Sequence, residues 1–213
     1  MPITAEQFRS LSDAGQVKGL TLWQPWATLV ATGDKRIETR SWGTSFRGMV
    51  LIHAAVKPYD NTLHENGALG FDTREALDGK VQFVCGQPIL PRGTVVAVAR
   101  LKHCIKHHGV AEPDVRLPRT MMEFADYYSA LGTTETMSIH LTKKERQFGD
   151  YSAGRFAWYL GDVTPLASPV PTRGYQQIWQ PTAAVIAAVT TELESRNRAA
   201  EAALSTREAP AYV

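Results

Sequence analysis

The sequence predicts an α+β protein built on a mixed, closed or partly closed β-barrel, with short decorating helices and a C-terminal helix. Three observations carry that prediction. Apolar, β-branched runs at Gly19–Trp23, Gly48–Ala54 and Thr94–Leu101 read as strands. Short helical patterns separate them without a regular βα alternation, which argues against a doubly wound parallel sheet. Near the C-terminus, Val185, Ile186, Val189 and Leu193 form one apolar helical stripe.

Residues 1–18 are polar with scattered Phe8, Leu11 and Val17, which predicts a short helix lying against the domain. After the strand at Gly19–Trp23, Pro25 suits the first position of a helix, where its missing N–H costs nothing. Trp26, Leu29 and Val30 then share one face, and Gly33 is placed to end the helix in a left-handed conformation. A second strand is predicted over Ile37–Trp42. Gly48–Ala54 reads as a third, largely buried one, and Thr94–Leu101 is apolar on both faces, hence central. Arg155–Leu160 alternates, with Phe156, Trp158 and Leu160 on one side.

Residues 57–88 and 106–150 read as insertions on this barrel. The first holds a short helical piece near Thr73–Asp78. The second holds two capping-box patterns, Thr120-Met121-Met122-Glu123 and Thr142-Lys143-Lys144-Glu145, each predicting a helix, with Gly132 and Gly149 as stops. Pro181-Thr182 opens the final helix, whose Ala- and charge-rich continuation Glu194–Arg207 is too polar for a core. The expected organisation is an N-terminal extension over 1–18, a domain over 19–180, and a helix and tail over 181–213.

Bulk composition narrows the function classes. With 213 residues, 44% of them hydrophobic, the chain can bury one core. A net charge of +2 advertises no polyanion, but two local stretches are basic. One runs through Lys35, Arg36, Arg40, Arg47 and Lys57, the other through Arg100, Lys102, Lys106, Arg116 and Arg119. Together they could line one groove for a phosphate-bearing ligand. Two cysteines, Cys85 and Cys104, fit a reduced compartment better than a disulfide scaffold. The opening MPITAEQFRS has no basic region followed by an apolar run, and no stretch has the length of a membrane span. A cytoplasmic location is expected.

The chemistry concentrates in Gly33-Asp34-Lys35-Arg36-Ile37-Glu38-Thr39-Arg40. On a strand, Glu38, Arg40 and Trp42 share one face, with Lys35 reaching over from the preceding turn. An arginine fork reads phosphate or a base edge, a carboxylate accepts from ring or exocyclic N–H groups, and a tryptophan offers a stacking face. A salt-bridge cluster closing the barrel mouth would use the same residue types.

The octapeptide pattern G-x-K-x-x-E-x-R resembles the signature of the ASCH domain, a small β-barrel of the PUA-like superfamily. The resemblance extends through Leu22-Trp23-Gln24-Pro25-Trp26-Ala27, the strand with His53, Gly154-Arg155-Phe156-Ala157-Trp158, and Arg173-Gly174-Tyr175-Gln176-Gln177-Ile178-Trp179. It implies a PUA-like barrel with a cleft beside the signature that recognises RNA or a modified nucleoside. Onto that cleft the signature carries Lys35, Glu38 and Arg40 directly; Gln24, Trp26 and Trp42 follow by proximity in sequence, Gln176 and Trp179 by the closing motif, and Arg155 completes the expected binding set. Trp23 and Trp158, on apolar strands, are expected in the core, and His53 is expected as a hydrogen-bonded core histidine or at the cleft edge.

Some relatives hydrolyse acetylated cytidine with a lysine, a threonine nucleophile and a glutamate. Here the lysine matches Lys35, but the nucleophile's place holds Glu38, and Thr39 is expected on the opposite face. For ribonuclease chemistry, Glu38 would be the base and Lys35 or Arg40 the cation, with Tyr151 or Ser152 positioning the phosphate. Lys35→Ala is then expected to abolish cleavage without unfolding. Lys35, matched under both chemistries, and Glu38, as the base of a ribonuclease, are the catalytic candidates, with no cofactor expected. The alternatives to an RNA-binding domain are such a hydrolase and a non-enzymatic protein-interaction module. Lys102-His103-Cys104-Ile105-Lys106-His107-His108 carries metal-ligand types, but period two separates His103 from Cys104, and no metal site is expected.

Overall fold

The computed structural model describes residues 2–57, 71–106, 122–128, 133–139 and 143–207. In chain order the elements are α1 (Ala5–Asp13), β1 (Val17–Leu22), α2 (Trp26–Ala31), β2 (Ile37–Arg40), β3 (Gly48–Ala54) and α3 (Phe71–Leu77). They continue as β4 (Phe83–Val84), β5 (Gln87–Pro88), β6 (Thr94–Lys106), β7 (Met122–Tyr128), β8 (Thr133–Ile139), α4 (Lys143–Gln147), β9 (Phe156–Pro171), β10 (Ile178–Trp179) and α5 (Ala183–Arg207).

Six strands in the order β10-β1-β3-β6-β9-β2 form one mixed sheet, which curls into a half-barrel. The pairing of β1 with β3 is parallel and the rest are antiparallel. All seven residues of β3 are buried, because both faces of this central strand are covered. On one face, α2 packs Ala27 and Val30 against Leu20, Val50, Ile52, Ala99 and Trp158. On the other, α1 and α5 bring Phe8, Val185, Val189 and Leu193 onto Met49, Leu51, Val95 and Val98. The stripe on α5 is therefore what holds it to the sheet, while its polar continuation runs on as helix to Arg207. Among the described residues, no helix is long and apolar enough to cross a membrane.

Local signals explain several boundaries. Thr4 caps α1 in a capping box with Gln7. Gly33 adopts a left-handed φ of 81° just after α2, as its position predicts. Pro25 stands one residue earlier than expected, as the N-cap of α2.

Two elements differ from expectation. The strand predicted over Arg155–Leu160 continues to Pro171 despite Pro165, Pro169 and Pro171. The β2 strand pairs with β9 at residues 156–159 and the Leu160 N–H donates to the Arg36 carbonyl at 2.8 Å, while beyond Leu160 β9 is paired on its β6 side alone among the described residues. A strand with one open edge tolerates residues that lack an N–H. The same pairing extends β6 past Leu101 to Lys106. Second, Met122–Tyr128 pairs with Thr133–Ile139 as a hairpin, where the capping-box pattern predicts a helix. The aromatic residues of one segment (Phe124, Tyr127, Tyr128) and the threonines of the other (Thr133, Thr134, Thr136) favour strands by propensity and outweigh a four-residue cap signal. Thr120, Met121, Gly132 and Thr142 lie outside the described residues. The second predicted helix is present as α4, ending at Gln147 ahead of Gly149.

Candidate functional site

A cleft of about 700 Å³ opens at the β10-β1-β3 end of the sheet. Its wall combines strand positions Thr21, Arg40 and His53, the residues Trp23 and Trp42 that follow β1 and β2, Ala55–Lys57 after β3, and the loop Arg173–Gln177. Arg40, Lys57 and Arg173 make it cationic, and no carboxylate lines it among the described residues. Trp23, Trp42 and Tyr175 supply aromatic surface, with Trp23 44% and Tyr175 51% exposed. The Arg173 guanidinium lies over the Tyr175 ring, 5.4 Å from its centroid, within cation–π range.

The loop is anchored by the end of the sheet. Trp179 on β10 is buried across Gly19, so close that a Cβ there would stand 2.1 Å from the indole. Its Nε1–H donates to Thr21 Oγ1 at 3.1 Å, and its ring meets His53 edge-on at 6.1 Å and Tyr175 at 5.7 Å. Trp179 thus backs the cleft wall without lining the opening. His53 is 1% exposed, and one ring nitrogen, Nε2, is 3.1 Å from the Thr172 carbonyl. Burial pushes its pKa below the ordinary histidine value, against the opposing pull of that backbone contact. The ring is consequently neutral at pH 7 and gives the wall a polar but uncharged patch.

The signature residues form a chain leading into this cleft. Lys35, 1% exposed, turns inward from its turn rather than over the surface. Its ammonium donates to the carbonyls of Ile37 and Phe148, the latter at 2.6 Å, and stands 6.0 Å from the Trp26 ring. Glu38 lies 3.5 Å from that ammonium and 3.1 Å from Arg40 Nε. Arg40 also donates to the Thr21 carbonyl at 2.8 Å, which fixes the guanidinium at the cleft wall. Of the charged triplet, then, Arg40 reaches the cleft, Glu38 holds it, and Lys35 is the buried counter-ion behind.

The other predicted site residues divide in the same way. Trp42 and Gln176 line the cleft, and Trp42 also stacks edge-on to the core Trp158 at 4.7 Å. Gln24 is 2% exposed: its amide bonds to the Pro91 carbonyl at 2.7 Å and accepts from Thr28 N–H at 3.1 Å, holding the start of α2. Trp26 packs on Phe148, 6.0 Å between ring centroids. Arg155 pairs with Asp150 at 3.2 Å and donates to the Thr39 carbonyl. Thr39 faces away from the cleft, with its hydroxyl accepting from Asp150 N–H at 3.0 Å. Tyr151 is buried, and burial together with Glu145 and Glu38 pushes its hydroxyl well above the ordinary range, while Ser152 is exposed.

Sequence reasoning missed part of this wall. Trp23, expected in the core, follows β1 and faces outward into the cleft. Arg173 and Tyr175 lie inside the closing motif but are recognisable as lining only once the loop folds over Thr21 and His53. Among the described residues, the first basic stretch gives the cleft Arg40 and Lys57, and the second gives it none. Arg100 and Lys102 pair with Asp162 at 3.3 Å on the sheet, and Arg47 bonds to the Thr44 and Phe46 carbonyls. Arg116 and Arg119 lie outside the described residues. No group of three or more His, Cys, Asp or Glu residues is placed to hold a metal ion among the described residues. A second cavity of about 610 Å³ between α1 and α5, lined by Arg9, Asp13 and Thr190 among others, contains none of the predicted site residues.

A curled mixed sheet of six strands with helices on both faces is the α+β architecture of a PUA-like domain. The family model of the ASCH domain matches residues 20–159, and the chain belongs to that family. Membership carries an RNA-binding type of function in general. The cleft loop Arg173–Gln177 lies beyond the matched residues. No curated protein matches the chain.

Proposed function

We propose that the protein binds RNA or a modified nucleoside in the cleft closed by Arg173–Gln177, within a domain spanning 19–180 that works in the cytoplasm. The observation that carries this reading is the meeting of Arg40, Lys57 and Arg173 with Trp23, Trp42 and Tyr175 on one wall that no described carboxylate lines. Cations neutralise phosphate, and exposed aromatic faces accept unpaired bases. A cavity of about 700 Å³ falls in the range of small-ligand sites, which suits a nucleoside or a short unpaired segment better than a duplex.

Binding rather than cleavage is the favoured activity because the groups nominated for chemistry are enclosed. Lys35 is saturated by two carbonyls and Glu38, and the threonine beside Glu38 faces away from the cleft. The test is titration of a fluorescent single-stranded RNA and a nucleoside panel at several salt concentrations. Affinity should fall linearly on a log–log plot against salt, and Arg40→Ala should lower the slope by about one. Binding that ignores salt, Arg40→Ala and Tyr175→Ala alike would overturn the proposal.

A further inference from the structure

The helix α4, Lys143–Gln147, has only five residues, too few to stand without tertiary support. Its support comes from the signature turn. Glu145, 5% exposed, accepts from the backbone N–H groups of Arg36 and Ile37, each at 2.9 Å through a different carboxylate oxygen. Just after the helix, the Phe148 carbonyl takes the Lys35 ammonium at 2.6 Å. The Phe148 ring packs against Trp26 and lies in a cluster with Leu29 and Leu77. One end of the 106–150 insertion therefore grips both the Lys35 ammonium and the two backbone N–H groups that follow it.

Those contacts continue inward without a break. Lys35 lies 3.5 Å from Glu38, Glu38 lies 3.1 Å from Arg40, and Arg40 meets the cleft. Buried ions are expensive to desolvate, and an apolar cluster of similar volume would serve stability as well or better. What such a network supplies is a single geometry for the group at its end. We propose that Glu145 is a positioning residue for the cleft: by fixing the Arg36–Ile37 backbone it sets Lys35 and Glu38, and through them the direction of the Arg40 guanidinium. The inference rests on the reading of the cleft as an RNA or nucleoside site, because it assigns Arg40 the contact with ligand.

The experiment uses the full chain labelled with ¹⁵N, the Arg40 Nε–H resonance being identified by its loss in Arg40→Lys. Glu145→Gln keeps the side-chain shape but sets an amide donor against a backbone N–H. It should move the Arg40 resonance and weaken binding of a short single-stranded RNA by about tenfold, as coupled neighbours do. In an Arg40→Ala background the same substitution should add nothing to the loss of affinity. A folded Glu145→Gln protein with an unmoved Arg40 resonance overturns the inference, and so does a penalty that persists in full without Arg40. If Arg40→Ala alone leaves RNA binding unchanged, the RNA reading fails while the resonance still decides the relay. Should Glu145→Gln not fold, Glu145→Asp, with the charge kept and the reach shortened, is measured in its place and judged by the same shifts.

Discussion

The ammonium of Lys35 lies 3.5 Å from the carboxylate of Glu38, with both side chains withdrawn from solvent. Removing one member of a buried pair leaves the other charged and uncompensated, and here it also strips a donor from the carbonyls of Ile37 and Phe148. Lys35→Ala should therefore destabilise the fold by about 3–5 kcal/mol, read from denaturant midpoints. Any activity lost in that variant has to be separated from lost structure, which changes the meaning of the substitution from the one the sequence suggests. A midpoint within error of the wild-type value would show that the pair supports little.

Trp23 and Tyr175 offer the opposite case. Both are about half exposed on the cleft wall, so replacing either by alanine removes little buried area. Stability should change by no more than about 0.5 kcal/mol, as for other surface positions. If each accepts a base, affinity for single-stranded RNA should fall by roughly 1–3 kcal/mol per substitution. Fluorescence anisotropy measures the second quantity and a thermal melt the first. Unchanged affinity in both variants would remove the stacking role from the cleft.

His53 predicts a pH dependence of stability with a definite sign. Its pKa in the folded protein is lowered by burial from 6.5, so between the two values the unfolded chain binds more protons than the native one. Stability is then fully present above the ordinary histidine value and is lost as pH falls through the depressed one. Denaturant midpoints should decline below about pH 6.5, and His53→Gln should flatten that part of the profile. An identical decline in His53→Gln would assign it to other groups.

Gly19 tests the wall from behind. A Cβ at this position would stand 2.1 Å from Trp179 Cε2, inside any permitted contact, so Gly19→Ala must displace the indole or part β1 from β10. Overpacking of this kind costs about 1–3 kcal/mol. Because Trp179 holds Thr21 and packs on His53 and Tyr175, the variant should also weaken RNA binding although no cleft-lining residue has changed. A wild-type melting temperature in Gly19→Ala would show that the indole has room to move.

How far the sequence reached depends on which physical signal each element carries. The strand Gly48–Ala54 and the stripe on α5 were legible because apolar periodicity is written along the chain itself. Arg40 and Gln176 were placed by motif and Trp42 by proximity to the signature, and the structure brings all three to one cleft. The second half of β9 was not legible, because prolines stop a strand unless one edge is unpaired, and that depends on where β2 ends.

By itself, the sequence determined the class of fold, the family and the residue types available to a nucleotide-like ligand. The tertiary structure alone decided which of those residues reach the opening. Lys35 goes inward because Phe148, 113 residues away, offers it a carbonyl, while Trp23 turns outward and Arg173 and Tyr175 close over the cleft. Chain spacing sets the side of an element on which a residue stands. Whether that side meets solvent, an ion partner or a cleft is set by segments far away in the chain.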